Sequence, residues 1–64
     1  MGYIVKIPLV VGTEVTERTH ALARATLAVE LGRPVKAVEY YGSTIVDQDP
    51  LVEWHRFREV ETGR

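Results

Sequence analysis

Apolar positions alternate from Tyr3 to Val11. Tyr3, Val5, Ile7, Leu9 and Val11 fall on one side and Ile4, Lys6, Pro8 and Val10 on the other. A period of two in a run rich in β-branched residues predicts a strand. Pro8 has no N–H to give to a ladder, which places this strand at a sheet edge or at a bulge.

After Gly12 the period changes. Thr13 is a candidate N-cap, with Glu14 and Glu17 in the first turn, where the helix dipole favours acids. Helical spacing then continues to Leu31. Gly32 supplies a left-handed stop and Pro34 prevents continuation. At about 100° per residue, Val15, Leu22, Ala25 and Val29 share a face that is expected to pack on a sheet. Leu27 and Leu31 then fall on the outer side with His20 and Arg24, near the small Ala23.

The segment Val35 to Val46 reads as extended, with Gly42-Ser43 as a bulge or a tight turn. Asp47-Gln48-Asp49-Pro50 has turn composition. From Leu51 to Glu61 the pattern is ambiguous. Val52, Trp54 and Phe57 suit a strand returning in a hairpin. Asp49-Pro50 is also a helix start, with Gly63 as its stop. The step of three from Leu51 through Trp54, Phe57 and Val60 winds around a helix and leaves no stripe, so the strand is preferred. Thr62 to Arg64 is expected to fray.

The fold expected is α+β: a small two-layer β-α-β-β domain over residues 1–64, with one helix on a three-stranded, mostly antiparallel sheet. The alternative is β-α-β-α, with a helical C-terminal segment. One helix covers one sheet face, and nothing in the chain covers the other.

Composition narrows the function classes. The chain has 64 residues, 45% hydrophobic and 27% charged, a globular composition. It has no cysteine, hence no disulfide and no thiolate metal site. No run of 18 apolar residues exists to span a bilayer. Lys6 sits where a myristoylation motif wants Ser or Thr, and the first strand lacks a basic leader. A cytoplasmic location is expected, with no membrane partner. The net charge of −1 provides no global attraction to nucleic acid. A domain of this size buries only about 60% of the surface its unfolded chain exposes, so association with a second copy is the remaining source of burial.

Chemistry-bearing patterns are sparse. Glu17-x-x-His20 has the spacing of a di-iron half-site but occurs once. Asp47 and Asp49 lack the other ligands and central Gly of a calcium loop. Gly12-Thr13 joins a strand to a helix, yet the glycines and Lys of a phosphate loop are missing. Ser43 is the only serine. No catalytic, cofactor-binding or metal-ligating residue is assigned. The run Trp54-His55-Arg56-Phe57-Arg58 interleaves aromatics with basic residues, as nucleic-acid modules do. Glu53, Glu59 and Glu61 flank it. On a strand, Trp54, Arg56 and Arg58 face away from His55 and Phe57, and the arginines are expected to pair with Glu39 or Glu53 across the hairpin.

The β-α-β-β order, with Val11-Gly12-Thr13 at the first strand–helix junction, resembles the dodecins. In these small flavin-binding proteins a three-stranded antiparallel sheet wraps one helix and twelve copies form a hollow sphere. The resemblance implies an oligomer that binds a flavin or similar aromatic ligand. The family's flavin-binding Trp lies on its middle strand; here the comparable stretch holds Tyr40 and Tyr41, and Trp54 lies on the last strand. No site is carried across.

The function expected is that of a small non-enzymatic binding protein without a cofactor. It would be a homo-oligomer, most simply a dimer, acting through contact with a protein partner. The excess of Arg over Lys and the absence of Asn suggest a GC-rich bacterial or phage genome and an accessory or regulatory role. Its expected interface is either the outer helix side (Leu27, Leu31 and Ala23, rimmed by His20 and Arg24) or the open sheet face with Ile4, Val10 and Tyr41. The alternatives are the dodecin-like ligand binder and a nucleic-acid module centred on Trp54 to Arg58.

Overall fold

The computed structural model describes residues 3–60. The elements are β1 (Ile4–Val10), α1 (Glu17–Leu31), β2 (Val38–Ile45) and β3 (Val52–Glu59). The strands form one antiparallel sheet in the order β1-β3-β2. The fold is therefore α+β, with one helix packed on a three-stranded sheet, and the returning segment is a strand. The expected fraying of Thr62 to Arg64 and the helix stop at Gly63 lie outside the described residues.

β3 is central. Its register sets Val5 opposite Phe57 and Ile7 opposite His55 on the β1 side. On the β2 side it sets Tyr40 opposite Phe57 and Thr44 opposite Trp54. Directly opposed residues share a face. Val5, Ile7, Leu9, His55, Phe57, Val38 and Tyr40 thus lie on the face that the helix covers. Ile4, Lys6, Pro8, Val10, Val52, Trp54, Arg56, Arg58, Glu39 and Thr44 lie on the open face. Pro8 stands in an edge strand, as its missing donor requires.

The register slips by one residue between Tyr40 and Ser43, a bulge in β2. Gly42 takes φ +97°, and a Cβ there would lie 3.0 Å from Arg56 Nη2. Glycine serves twice at this point: it accepts the left-handed backbone and leaves room for the guanidinium to cross β2.

The helix begins later than the sequence suggests. Thr16, not Thr13, is the N-cap, so Glu14 lies outside the first turn. The Thr16 N–H donates to Thr19 Oγ1 at 3.2 Å, and the Thr16 carbonyl accepts the His20 N–H at 3.1 Å. At the other end Gly32 adopts φ 70°, and its N–H and that of Arg33 both donate to the Ala28 carbonyl. This satisfies the last turn in the manner of a Schellman motif.

The helix presents the opposite face from the one expected, which corrects the sequence reading. Thr19, Ala23 and Leu27 are buried, and Leu31 and Ala28 pack beside them. Leu22 and Val29 are 52% and 80% exposed. Of the expected stripe, only Val15 packs against the core. The physical reason is the closeness of the two layers. Where α1 crosses the sheet, the small Ala23 lets the backbones approach, and Leu27 meets Phe57, Val5, Ile7 and Val35 in one buried cluster. A stripe of Thr19, Ala23 and Leu27 holds a single large apolar side chain, so ranking faces by apolar bulk selects the wrong one.

Arg33, just past the helix, grips Glu59 at the end of β3 with two hydrogen bonds of 2.9 and 2.6 Å. The hydrogen bond from Arg33 holds the Glu59 carboxyl below its ordinary value; partial desolvation opposes this and the charge of Arg33 adds to it. A depressed carboxylate contributes stability above its unfolded value and loses it as pH falls through the native one. The difference in thermal midpoint between wild type and Glu59→Gln should therefore be present at neutral pH and shrink as pH falls below about 4. Thermal melts followed by circular dichroism at a series of pH values check this; a difference that grows on acidification would contradict it.

Candidate functional site

The open sheet face is built by strand alternation alone. β3 contributes Trp54, Arg56 and Arg58 at every second position, β1 contributes Ile4, Lys6, Pro8 and Val10, and β2 contributes Glu39 and Thr44. The bulge brings Tyr41 to the same side, where Arg56 and Arg58 lie 5.3 and 4.7 Å from its ring centroid. Two guanidiniums on one phenol ring are held by the ring's negative face. Arg58 also bonds Glu39 across the β2–β3 pair, as the sequence suggested. Glu53 is engaged otherwise. It accepts the Ser43 hydroxyl on the covered side of the sheet.

Of the residues expected at an interface, Ile4, Val10 and Tyr41 are exposed on this face, at 45%, 68% and 43%. Ile4 opposes Arg58 and Val10 opposes Val52, so they mark the two ends of β1. Trp54 lies between them and joins the same surface, a placement given by its parity with Arg56 and Arg58. The helix residues are distributed differently. Leu27 and Ala23 are fully buried in the chain's own core and offer no surface. Leu31 packs at the edge of that core. His20 sets its ring edge-on to Phe57 at 5.0 Å. Arg24 is exposed. The outer helix side instead carries Leu22, Ala25 and Val29.

His20 and Arg24 do share a feature: with Glu17, Ala21, Lys36, Ala37 and Val38 they line a groove of about 550 Å³ between α1 and the start of β2. Its charges are mixed, with Glu17 set among Arg24 and Lys36.

A polar chain on the covered side was not anticipated. The Tyr40 hydroxyl lies 2.9 Å from His55 Nδ1, His55 Nε2 lies 3.6 Å from Glu53 Oε1, and Ser43 donates to the other Glu53 oxygen. The alternation of Glu53, His55 and Phe57 was the signal for it. His55 is 4% exposed, and its Nε2 has no hydrogen-bond partner. The serine serves the carboxylate and not the imidazole, so the order of a nucleophile–base–orienter relay is absent from the arrangement. The Tyr40–His55 and Ser43–Glu53 bonds link β2 to β3 on either side of the bulge. Among the described residues no three His, Asp or Glu side chains converge as a metal site would require, and no helix is long and apolar enough to cross a membrane. No protein family, curated protein or solved structure matches the chain.

Proposed function

We propose that this chain is a non-enzymatic binding protein that engages a protein partner through the open face of its sheet. The observation that carries the reading is the composition of that face. Trp54 and Tyr41 sit with Ile4, Pro8 and Val10, and arginines flank them. Tyr, Trp and Arg are the residues enriched where protein interfaces concentrate their binding energy, with polar groups as a rim. The helix spans only the opposite face, so this surface has no covering layer among the described residues.

The test uses the single tryptophan. A partner captured by the wild type should be lost with Trp54→Ala and Arg58→Ala combined, and should shift Trp54 emission when added back in pure form. The variant's circular dichroism should stay that of the folded chain. A partner retained by the open-face variant but lost with Leu22→Glu and Val29→Glu would move the site to the outer helix side.

One observation favours a second reading, the binding of single-stranded nucleic acid. Glu53 and Glu59, two of the three glutamates that flank the basic-aromatic run, lie on the covered side by register, and Glu61 lies outside the described residues. Among the described strand residues, Lys6, Arg56 and Arg58 thus share the open face with one acid, Glu39. Three cations with two aromatics is still a small footprint beside the several phosphate contacts of a tight binder. Retention on heparin at about 0.15 M salt is therefore expected to fail. Retention that is abolished by Arg56→Ala with Arg58→Ala would make this the better reading.

A further inference from the structure

The two edges of the sheet differ. In an antiparallel pair, backbone groups point alternately to the partner strand and away from it. The Val11 N–H donates to the Leu51 carbonyl at 3.0 Å. Counting back along β1 by twos, the backbone groups of Leu9, Ile7 and Val5 point to β3, and those of Ile4, Lys6, Pro8 and Val10 point to the free edge. Pro8 thus removes a donor from the middle of that edge, the usual protection against pairing. The Val60 N–H donates to the Ala37 carbonyl at 3.1 Å, so Ala37 and Glu39 point to β3. Val38, Tyr40 and, beyond the bulge, Ser43 and Ile45 present their N–H and C=O groups on the free edge of β2. No proline interrupts it, and among the described residues no strand pairs with it.

We infer that β2 pairs with β2 of a second copy, antiparallel across a two-fold axis, to make a continuous six-stranded sheet. The outward-facing set fixes the register. Only one antiparallel alignment maps Val38, Tyr40, Ser43 and Ile45 onto themselves in full: Val38 opposite Ile45 and Tyr40 opposite Ser43. The side chains brought together by that register are complementary. Ile45, 47% exposed in the single chain, lands beside Val38 on the covered side, and Val38 is one of the residues that line the groove between α1 and the start of β2. Tyr41 lies across from Gly42, an aromatic over a glycine. Just past the strand ends, Lys36 of one copy comes level with Asp47 of the other. Both are exposed, and neither has an ion-pair partner among the described residues. The axis repeats every one of these contacts. An unrelated strand would have to supply an apolar residue and an acid at those same positions. This pairing goes beyond the open-face reading and does not need it, although it would set two open faces side by side.

The experiment is mass by analytical ultracentrifugation, with amide exchange followed by NMR. The wild type should sediment as a dimer of about 14 kDa, twice the chain mass of 7.2 kDa. The Val38, Tyr40, Ser43 and Ile45 amides should exchange slowly although they face away from β3. Ile45→Pro, which does to β2 what Pro8 does to β1, should give a folded monomer with fast exchange at those sites. Ile45→Lys guards against a proline that fails to fold, and should also give a monomer. Lys36→Asp should raise the dissociation constant about tenfold, because two symmetric pairs are reversed, and Asp47→Lys added to it should restore the wild-type value. A wild type that stays at 7.2 kDa at high concentration overturns the inference and leaves the open-face reading standing. A dimer indifferent to Ile45→Lys and Lys36→Asp, with fast edge amides, overturns it in favour of another surface.

Discussion

Leu27→Ala is expected to destabilise the fold by about 2–5 kcal/mol, whereas Leu22→Ala and Val29→Ala should each stay within about 0.5 kcal/mol of wild type. Leu27 is fully buried in the cluster with Val5, Ile7, Val35 and Phe57, and truncation leaves a cavity that the β-sheet, fixed by its ladder, fills only in part. Leu22 and Val29 keep half or more of their surface in water already, so truncation removes little burial. Alanine also suits a helix better than valine does, which offsets part of any loss at Val29. For a chain of this length the whole stability is roughly 3–10 kcal/mol, so the Leu27 variant should lose a large share of it. Urea melts of the three variants separate the two helix faces directly. Equal losses at Leu27 and Val29 would mean that the outer face is also covered, as it would be in an oligomer built through that side. Leu27→Glu with Leu31→Glu, which on the face assignment from spacing alone would only split an oligomer, is expected to unfold the chain itself.

That contrast shows where sequence reasoning succeeded and where it stopped. Strand parity was legible because its period leaves no choice. Once β1 was read from Tyr3 to Val11, the faces of Ile4, Lys6 and Val10 followed, and Pro8 left an edge or a bulge, of which the sheet order has the edge. The separation of Trp54, Arg56 and Arg58 from His55 and Phe57 was equally legible; of the two acids expected to meet the arginines, Glu39 takes Arg58 and Glu53 accepts from Ser43 instead. The helix had two candidate faces, and spacing supplied no preference that survives a close helix–sheet crossing. Thr19 and Ala23 carry little apolar bulk, yet both are buried against the sheet. Thr13 and Thr16 both stand ahead of an acid, and the helix begins from the second of them. The grip of Arg33 on Glu59 spans 26 positions and depends on the helix ending where β3 ends, which no local pattern encodes. Of the interface residues, those on strands keep their exposed placement, while on the helix only Arg24 does, because alternation forces the faces of a strand and helical spacing leaves a helix two.

Phe57→Ala is expected to have the largest effect of any single truncation, and to leave the chain mostly unfolded at 25 °C. Phe57 is the largest fully buried side chain and stands on the central strand. It opposes Val5 on one side and Tyr40 on the other, so both strand pairings meet at its ring. The rings of His20 and Tyr40 approach it edge-on at 5.0 and 5.4 Å, which ties the helix and β2 to the same point. Truncating such a phenylalanine costs about 3–5 kcal/mol, and losing aromatic edge contacts adds about 0.5–1.5 kcal/mol. Together these reach most of the roughly 3–10 kcal/mol available. Phe57→Leu keeps much of the volume and should leave a folded, less stable chain. The readouts are the far-ultraviolet spectrum and the emission maximum of Trp54, which should take the value of a fully hydrated indole only in the alanine variant. If Phe57→Ala stays folded and melts within a few degrees of wild type, the core is not centred on β3 and the layer arrangement described above is wrong. If it folds only at high protein concentration, with the β2 edge amides protected, the missing stability is being supplied by the second copy.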